Sequence, residues 1–191
     1  SEDKLIYAHT LGILGDPTGV KTLVEAVESS EWDKGWRYTG MGQYGRSISP
    51  VDSYIIALGR TQRDEAVEPI LAMVEQLGPE HEMSHHRAVA MALETLDEPA
   101  AAEPLVRLLQ KPGMRGHAYT DIDKALDNIK ASSVDTSTRE VSLRELVLAR
   151  ALYRCGDHDG LGESILRAYA QDLRGHYARH ALAVLNESHD H

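Results

Sequence analysis

The sequence contains no phenylalanine, a single cysteine, few aromatic residues and no long apolar run. A core without Phe, in a chain only 5% aromatic, must be packed through Ala, Leu, Val and Ile, which leans toward helices meeting at close quarters. One cysteine, Cys155, excludes an intramolecular disulfide framework and any cysteine-rich zinc site. It suits a reducing compartment and favours the cytoplasm over the periplasm. No stretch approaches the roughly 18 consecutive apolar residues of a membrane-spanning helix. The opening Ser1-Glu2-Asp3-Lys4, with His9 and Thr10 soon after, does not read as a signal peptide. Bases are also short: 20 Lys and Arg stand against 30 Asp and Glu, a net charge of −10. That excludes the broad phosphate-neutralising surface of a nucleic-acid binder. What remains is a soluble protein of 191 residues, 42% hydrophobic, long enough to bury a real core.

What the chain does have is internal repetition. With Leu11, Leu58, Leu93 and Leu152 as anchors, nine residues on stand Val20, Val67, Ala102 and Leu161. Twelve and thirteen on are Leu23-Val24, Ile70-Leu71, Leu105-Val106 and Ser164-Ile165; sixteen on are Val27, Val74, Leu109 and Ala168. Nineteen of these twenty positions are apolar in a chain that is 42% apolar, so chance is a poor explanation. Offsets of 9, 12, 13 and 16 form an i, i+3, i+4, i+7 stripe, one face of an amphipathic helix. A second apolar segment precedes each anchor, as in Tyr54–Ala57 and Leu146–Ala149. Turn residues separate the two: Gly15-Asp16-Pro17, Asp97-Glu98-Pro99 and Gly156-Asp157. Aspartate as N-cap with proline at the first helical position predicts the start of each second helix. Each unit therefore reads as helix, tight turn, helix, and such units bury their stripes only by stacking.

The pattern A-x-x-L-G-x-L-G-D-P-x-x-V-x-x-L-V at residues 8–24 resembles the HEAT-like repeats of the bilin-lyase type. The resemblance implies an all-α fold, a right-handed α-α superhelix of about four and a half helical hairpins. It places them in one domain, residues 1–191, as repeats over about 1–30, 50–78, 80–110, 138–173 and 174–187. Two insertions, 31–49 and 111–137, fall after a second helix in each case and so emerge on one edge, where repeat proteins often bind.

The first insertion holds both tryptophans, Trp32 and Trp36, with Tyr38 and Tyr44. Lys34, Arg37 and Arg46 add positive charge to an acidic protein. Trp, Tyr and Arg are the commonest interface anchors, so Trp32, Trp36, Arg37, Tyr38, Gln43, Tyr44 and Arg46 are the candidate partner-binding residues. The bland alternative is a loop whose aromatics pack on its own repeats. In the second insertion Ile122, Ala125, Leu126 and Ile129 predict a short extra helix. Ser142 with Glu145 predicts a capping box for the helix that follows.

Two motifs point elsewhere. Residues 40–45, GMGQYG, match G-x-G-x-x-G but lack the strand and βαβ unit that a dinucleotide site needs. Residues 81–85, HEMSH, match H-E-x-x-H, in which two histidines hold a metal and the glutamate acts on bound water. The third ligand has no counterpart downstream, and His81 follows Gly78-Pro79 rather than lying within a long helix, so His81 and His85 read as solvated groups near the insertion edge. Cys155, with no base beside it, reads as a small buried thiol.

The stretch from Trp32 to Arg60, WDKGWRYTGMGQYGRSISPVDSYIIALGR, is similar to the helical C-terminal region of some large bacterial FAD-dependent oxidoreductases. That resemblance implies FAD on a Rossmann-type domain elsewhere in a longer polypeptide and no cofactor in this chain. The reading is a noncatalytic scaffold for protein–protein or interdomain contacts, accessory to a larger protein. Its partner is a protein or another domain of the same polypeptide, not nucleic acid or membrane. The competing reading is a metal-dependent hydrolase built on His81, Glu82 and His85.

Overall fold

A computed structural model describes residues 2–35, 49–128 and 137–187. Among these residues the chain forms ten α-helices and no strand: α1 (Glu2–Ile13), α2 (Val20–Glu28), α3 (Pro50–Arg60), α4 (Val67–Glu75), α5 (Met83–Leu96), α6 (Ala102–Gln110), α7 (Ile122–Asp127), α8 (Ser137–Arg154), α9 (Leu161–Ala170) and α10 (Gly175–Glu187). None is long and apolar enough to cross a membrane. The first helices α1, α3, α5 and α8 lie side by side in one layer, and α2, α4 and α6 form the second. Helix α9 pairs with α8, and α10 packs on α9. This is an α-α superhelix, and the core runs as one cluster between the layers.

The stripes carry that core. Leu23, Val27, Ile70, Val74, Leu105 and Leu109 are buried, along with the anchors Leu58, Leu93 and Leu152. In the fourth unit the register is different from the sequence reading. Gly162, Ile165, Leu166 and Tyr169 face the core, while Ser164 and Ala168 are exposed. The turn there is as long as in the first two units but takes positive φ at Asp157, Asp159 and Gly160, and the stripe that follows it is turned by one residue. The one polar residue in the expected stripe, Ser164, is thereby returned to solvent.

Caps start the second helices as expected in the first unit, where Asp16 Oδ1 accepts from Thr18 N at 2.8 Å ahead of Pro17. In the third unit the cap is Glu98, whose carboxylate accepts from Ala100 N at 2.9 Å, while Asp97 takes a left-handed turn. Close helix approach depends on glycine at one contact in particular: a Cβ on Gly59 would stand 2.6 Å from Ala92 Cα in the neighbouring helix.

The second insertion is tied down by buried polar groups. Helix α8 begins at Ser137, so Ser142 and Glu145 lie inside it and form no capping box. The hydroxyl of Ser142 donates to Thr138 O at 2.9 Å, a bond available only within a helix already formed. Glu145 instead turns outward and accepts from Gly116 N (2.7 Å), His117 N (2.8 Å) and the Tyr169 hydroxyl (2.9 Å). Arg174 completes the mooring: it pairs with Asp172 at 2.7 Å, donates to His117 O at 2.9 Å, and lies over the Tyr119 and Tyr177 rings. Helix α7 covers part of the expected extra helix; Ile122 and Leu126 on it are exposed, and Ile129 lies outside the described residues.

Candidate functional site

The root of the first insertion is held by a buried acid–histidine pair. Ser49 caps α3, its hydroxyl accepting from Asp52 N at 3.0 Å, and Pro50 follows at the first helical position. This fixes Asp52 in the first turn of α3, 3% exposed. His85 sits in the first turn of α5 and is 1% exposed. Its Nδ1 lies 2.6 Å from Asp52 Oδ1, and its Nε2 lies 2.9 Å from the backbone carbonyl of Asp33.

Both partners of His85 are acceptors, so both ring nitrogens donate and the ring is an imidazolium. Burial opposes that charge, but the hydrogen bond and charge of Asp52 and the Asp33 carbonyl outweigh it, raising the His85 pKa above its ordinary value. The insertion closes over this ring. Trp32 stacks on it with centroids 4.5 Å apart and donates Nε1–H to Met73 O at 3.3 Å. The backbone at Gly35 passes so near that a Cβ there would stand 2.6 Å from Ser84 Oγ and 2.7 Å from His85 Cε1. Only glycine permits that approach.

The next residue, His86, is also fully buried but behaves oppositely. Its Nδ1 donates to Glu82 O at 3.0 Å. Burial first, and the nearby Arg144 charge second, push its pKa down to about 3, so it is neutral. Arg144 in turn donates to Pro79 O (2.9 Å) and Gly113 O (3.0 Å), which links the second insertion to the turn before α5. Both insertions are thus rooted at the N-terminal end of α5.

Of the candidate partner-binding residues, Trp32 is described and partly buried against the core. Trp36, Arg37, Tyr38, Gln43, Tyr44 and Arg46 lie outside the described residues, as does the G-x-G-x-x-G stretch at 40–45. The solvated reading of His85 is corrected by its burial. His81 lies before α5 rather than one turn from His85 on the same helix, and its Nδ1 accepts from Gly78 N at 3.0 Å. Asp33, Asp52 and His86 were not singled out by sequence, and no local spacing signals them, whereas Gly35 stands among the insertion glycines that permit close backbone approach. Cys155 is buried, with its thiol 3.6 Å from Leu93 O, and burial pushes its pKa up to about 12.

No family model and no curated protein matches the chain. Among solved structures it is similar to the complex of CpcE and CpcF of phycocyanin lyase from Nostoc sp. PCC7120. The identity is 19% and the TM-score 0.46, covering 95% of this chain and 69% of that one.

Proposed function

We propose that the chain is a noncatalytic helical-repeat scaffold that presents the edge bearing its two insertions to a protein partner. One observation carries this reading: the insertion rich in Trp, Tyr and Arg is rooted on a buried Asp52–His85 ion pair and a stacked Trp32. A loop with no task beyond connection needs no buried charge at its base, because desolvating an ion pair is costly. A recognition loop gains from such a root, since a pre-positioned anchor loses less entropy on binding. The partner-binding residues are then Trp32, Trp36, Arg37, Tyr38, Gln43, Tyr44 and Arg46.

The finer form of the reading makes the partner another domain of a longer polypeptide. The likeness of residues 32–60 to a region of FAD-dependent oxidoreductases makes a flavin-bearing domain its first candidate. The native polypeptide, purified from its source, tests this. A mass far above 21.1 kDa with the visible absorbance of a bound flavin supports the finer form. A native chain of 21.1 kDa without flavin overturns it and leaves a separate protein as the partner. For the scaffold reading itself, Trp36→Ala tests the loop: association falls while the helical circular dichroism stays.

A further inference from the structure

In the second layer α2 packs on α4 and α4 on α6, but α6 and α9 do not pack as those pairs do. Residues 114–120 of the second insertion pass beside α9 instead. Their course is fixed at several points. Glu145 of α8 holds the amides of Gly116 and His117, Tyr119 N donates to Asp172 Oδ2 at 2.8 Å, and Leu173 N donates to Tyr119 O at 2.8 Å. Between this stretch and α9 opens a cleft of about 490 Å³. Gly116, Ala118 and Thr120 line one wall. The other wall is the α9 set Leu161, Ser164, Ile165 and Ala168. These are the i, i+3, i+4, i+7 positions that the repeat register assigns to the core. Turned by one residue, the stripe opens onto the cleft, with Ser164 and Ala168 exposed.

We propose that this cleft binds a small amphiphilic carboxylate, its apolar tail on α9 and its head toward Arg115 and Lys124. The apolar surface comes from Ala118, Leu161, Ile165 and Ala168. The charged side chains lining the cleft are Arg115, Lys124 and Glu145, two positive and one negative, in a chain whose net charge is −10. Glu145 spends its oxygens on Gly116 N, His117 N and the Tyr169 hydroxyl, not on either cation. Lys124 Nζ is held at the cleft by Gly116 O at 3.0 Å and Ala118 O at 3.4 Å, and an ammonium so held keeps a third hydrogen for a ligand. Arg115 is exposed and brings a guanidinium, whose planar fork matches a carboxylate. The hydroxyls of Thr120 and Ser164 add donors on both walls. The single positive charge left over selects a monoanion, because the second charge of a phosphate monoester would face Glu145 uncompensated. The volume is in the range of small-ligand sites and takes a tail of about ten carbons. This site is separate from the Trp32–Arg46 loop and does not rest on the scaffold reading.

Titration of the full chain with decanoate, followed by the amide chemical shifts of the backbone, tests the proposal. The expected result is one saturable set of shifts at Gly116, Ala118, Ser164 and Ala168, with a Kd of about 0.1–1 mM. Arg115→Gln combined with Lys124→Gln weakens binding at least about tenfold. Ala168→Trp fills the cleft from an exposed position and abolishes binding. Both variants keep the helical circular dichroism, because the altered side chains lie outside the core. Decyltrimethylammonium, with the same tail and the opposite charge, leaves these amides unshifted, and Trp36→Ala leaves decanoate binding unaltered. No saturable shift at these residues up to about 5 mM decanoate, binding indifferent to either cleft variant, or equal binding of the cationic amphiphile each overturns the proposal.

Discussion

Removing Asp52 is the sharpest test of how the first insertion is held. In Asp52→Ala the His85 imidazolium loses its nearer carboxylate, the one 2.6 Å from Nδ1, in a site where both side chains are almost wholly buried, and keeps Asp33 Oδ1 at 3.9 Å from Nε2. Breaking a buried pair from one side costs about 3–5 kcal/mol, because the remaining charge is left uncompensated. His85 can escape part of that by deprotonating, Nε2–H still donating to Asp33 O, but Nδ1 is then buried without a partner, so the loss stays above about 2 kcal/mol. For a domain of this size each kcal/mol lowers Tm by about 2–4 °C, which gives a fall of about 4–20 °C. Asp52→Asn, which keeps an acceptor oxygen, loses less, about 1–3 kcal/mol. The difference also depends on pH with a definite sign. The folded-state pKa of His85 is raised, so its contribution is fully present below the ordinary histidine value and is lost as pH rises through the folded value. The gap between wild type and Asp52→Ala therefore narrows as pH rises from the ordinary histidine value through the raised folded-state value. Thermal unfolding followed by circular dichroism, with Trp32 fluorescence in a Trp36→Phe background, reads both effects. A Tm loss under about 3 °C, or a gap that widens with pH, refutes the clamp.

The remaining predictions concern the frame around that clamp. Gly59→Ala drives a Cβ into the backbone of Ala92 and destabilises the fold by about 1–3 kcal/mol or more, measured by urea unfolding. Glu145→Ala strands Gly116 N and His117 N, while the Tyr169 hydroxyl keeps Ser142 O at 3.2 Å, at a cost of about 2 kcal/mol or more, and amide exchange at residues 116 and 117 rises. Tyr169→Phe, which removes one of these donors, costs about 1 kcal/mol in the same assay. The Cys155 thiol, buried and with its pKa pushed up to about 12, stays unreactive toward a disulfide reagent at pH 8 in the native state, roughly four units below its pKa, and reacts at once in denaturant.

The layered architecture was legible in the sequence because burial in a helix is periodic. Leu23, Val27, Ile70, Val74, Leu105 and Leu109 recur at spacings that no other structure explains. The fourth unit shows the limit: the buried set moves from Leu161 and Ala168 to Gly162 and Tyr169 across a turn of ordinary length, whose path is set by positive φ at Asp157, Asp159 and Gly160. The capping box at Ser142 and Glu145 was misread for a related reason. The i, i+3 pair of serine and glutamate fits a helix start, and it fits a helix interior as well when the glutamate has loop amides to hold. The clamp was not legible at all. Asp33, Asp52 and His85 are far apart in the chain and brought together by stacking, and Asp52 on its own looks like any first-turn acid. His85 drew notice through H-E-x-x-H, but for a chemistry that its burial and its two hydrogen bonds give no support.

The central claim is that the loop running from Trp32 to Arg46 binds a protein. The most direct measurement is quantitative cross-linking in source cells from the exposed position 34, comparing the chain with Trp36 intact, Trp36→Ala and a deletion of residues 36–48. A Trp anchor at the centre of an interface is worth about 2 kcal/mol or more, so Trp36→Ala is predicted to cut the cross-linked partner by about thirtyfold and the deletion to abolish it, with helical content intact. Equal yields of one cross-linked protein from all three chains would contradict the claim and leave the chain a structural spacer.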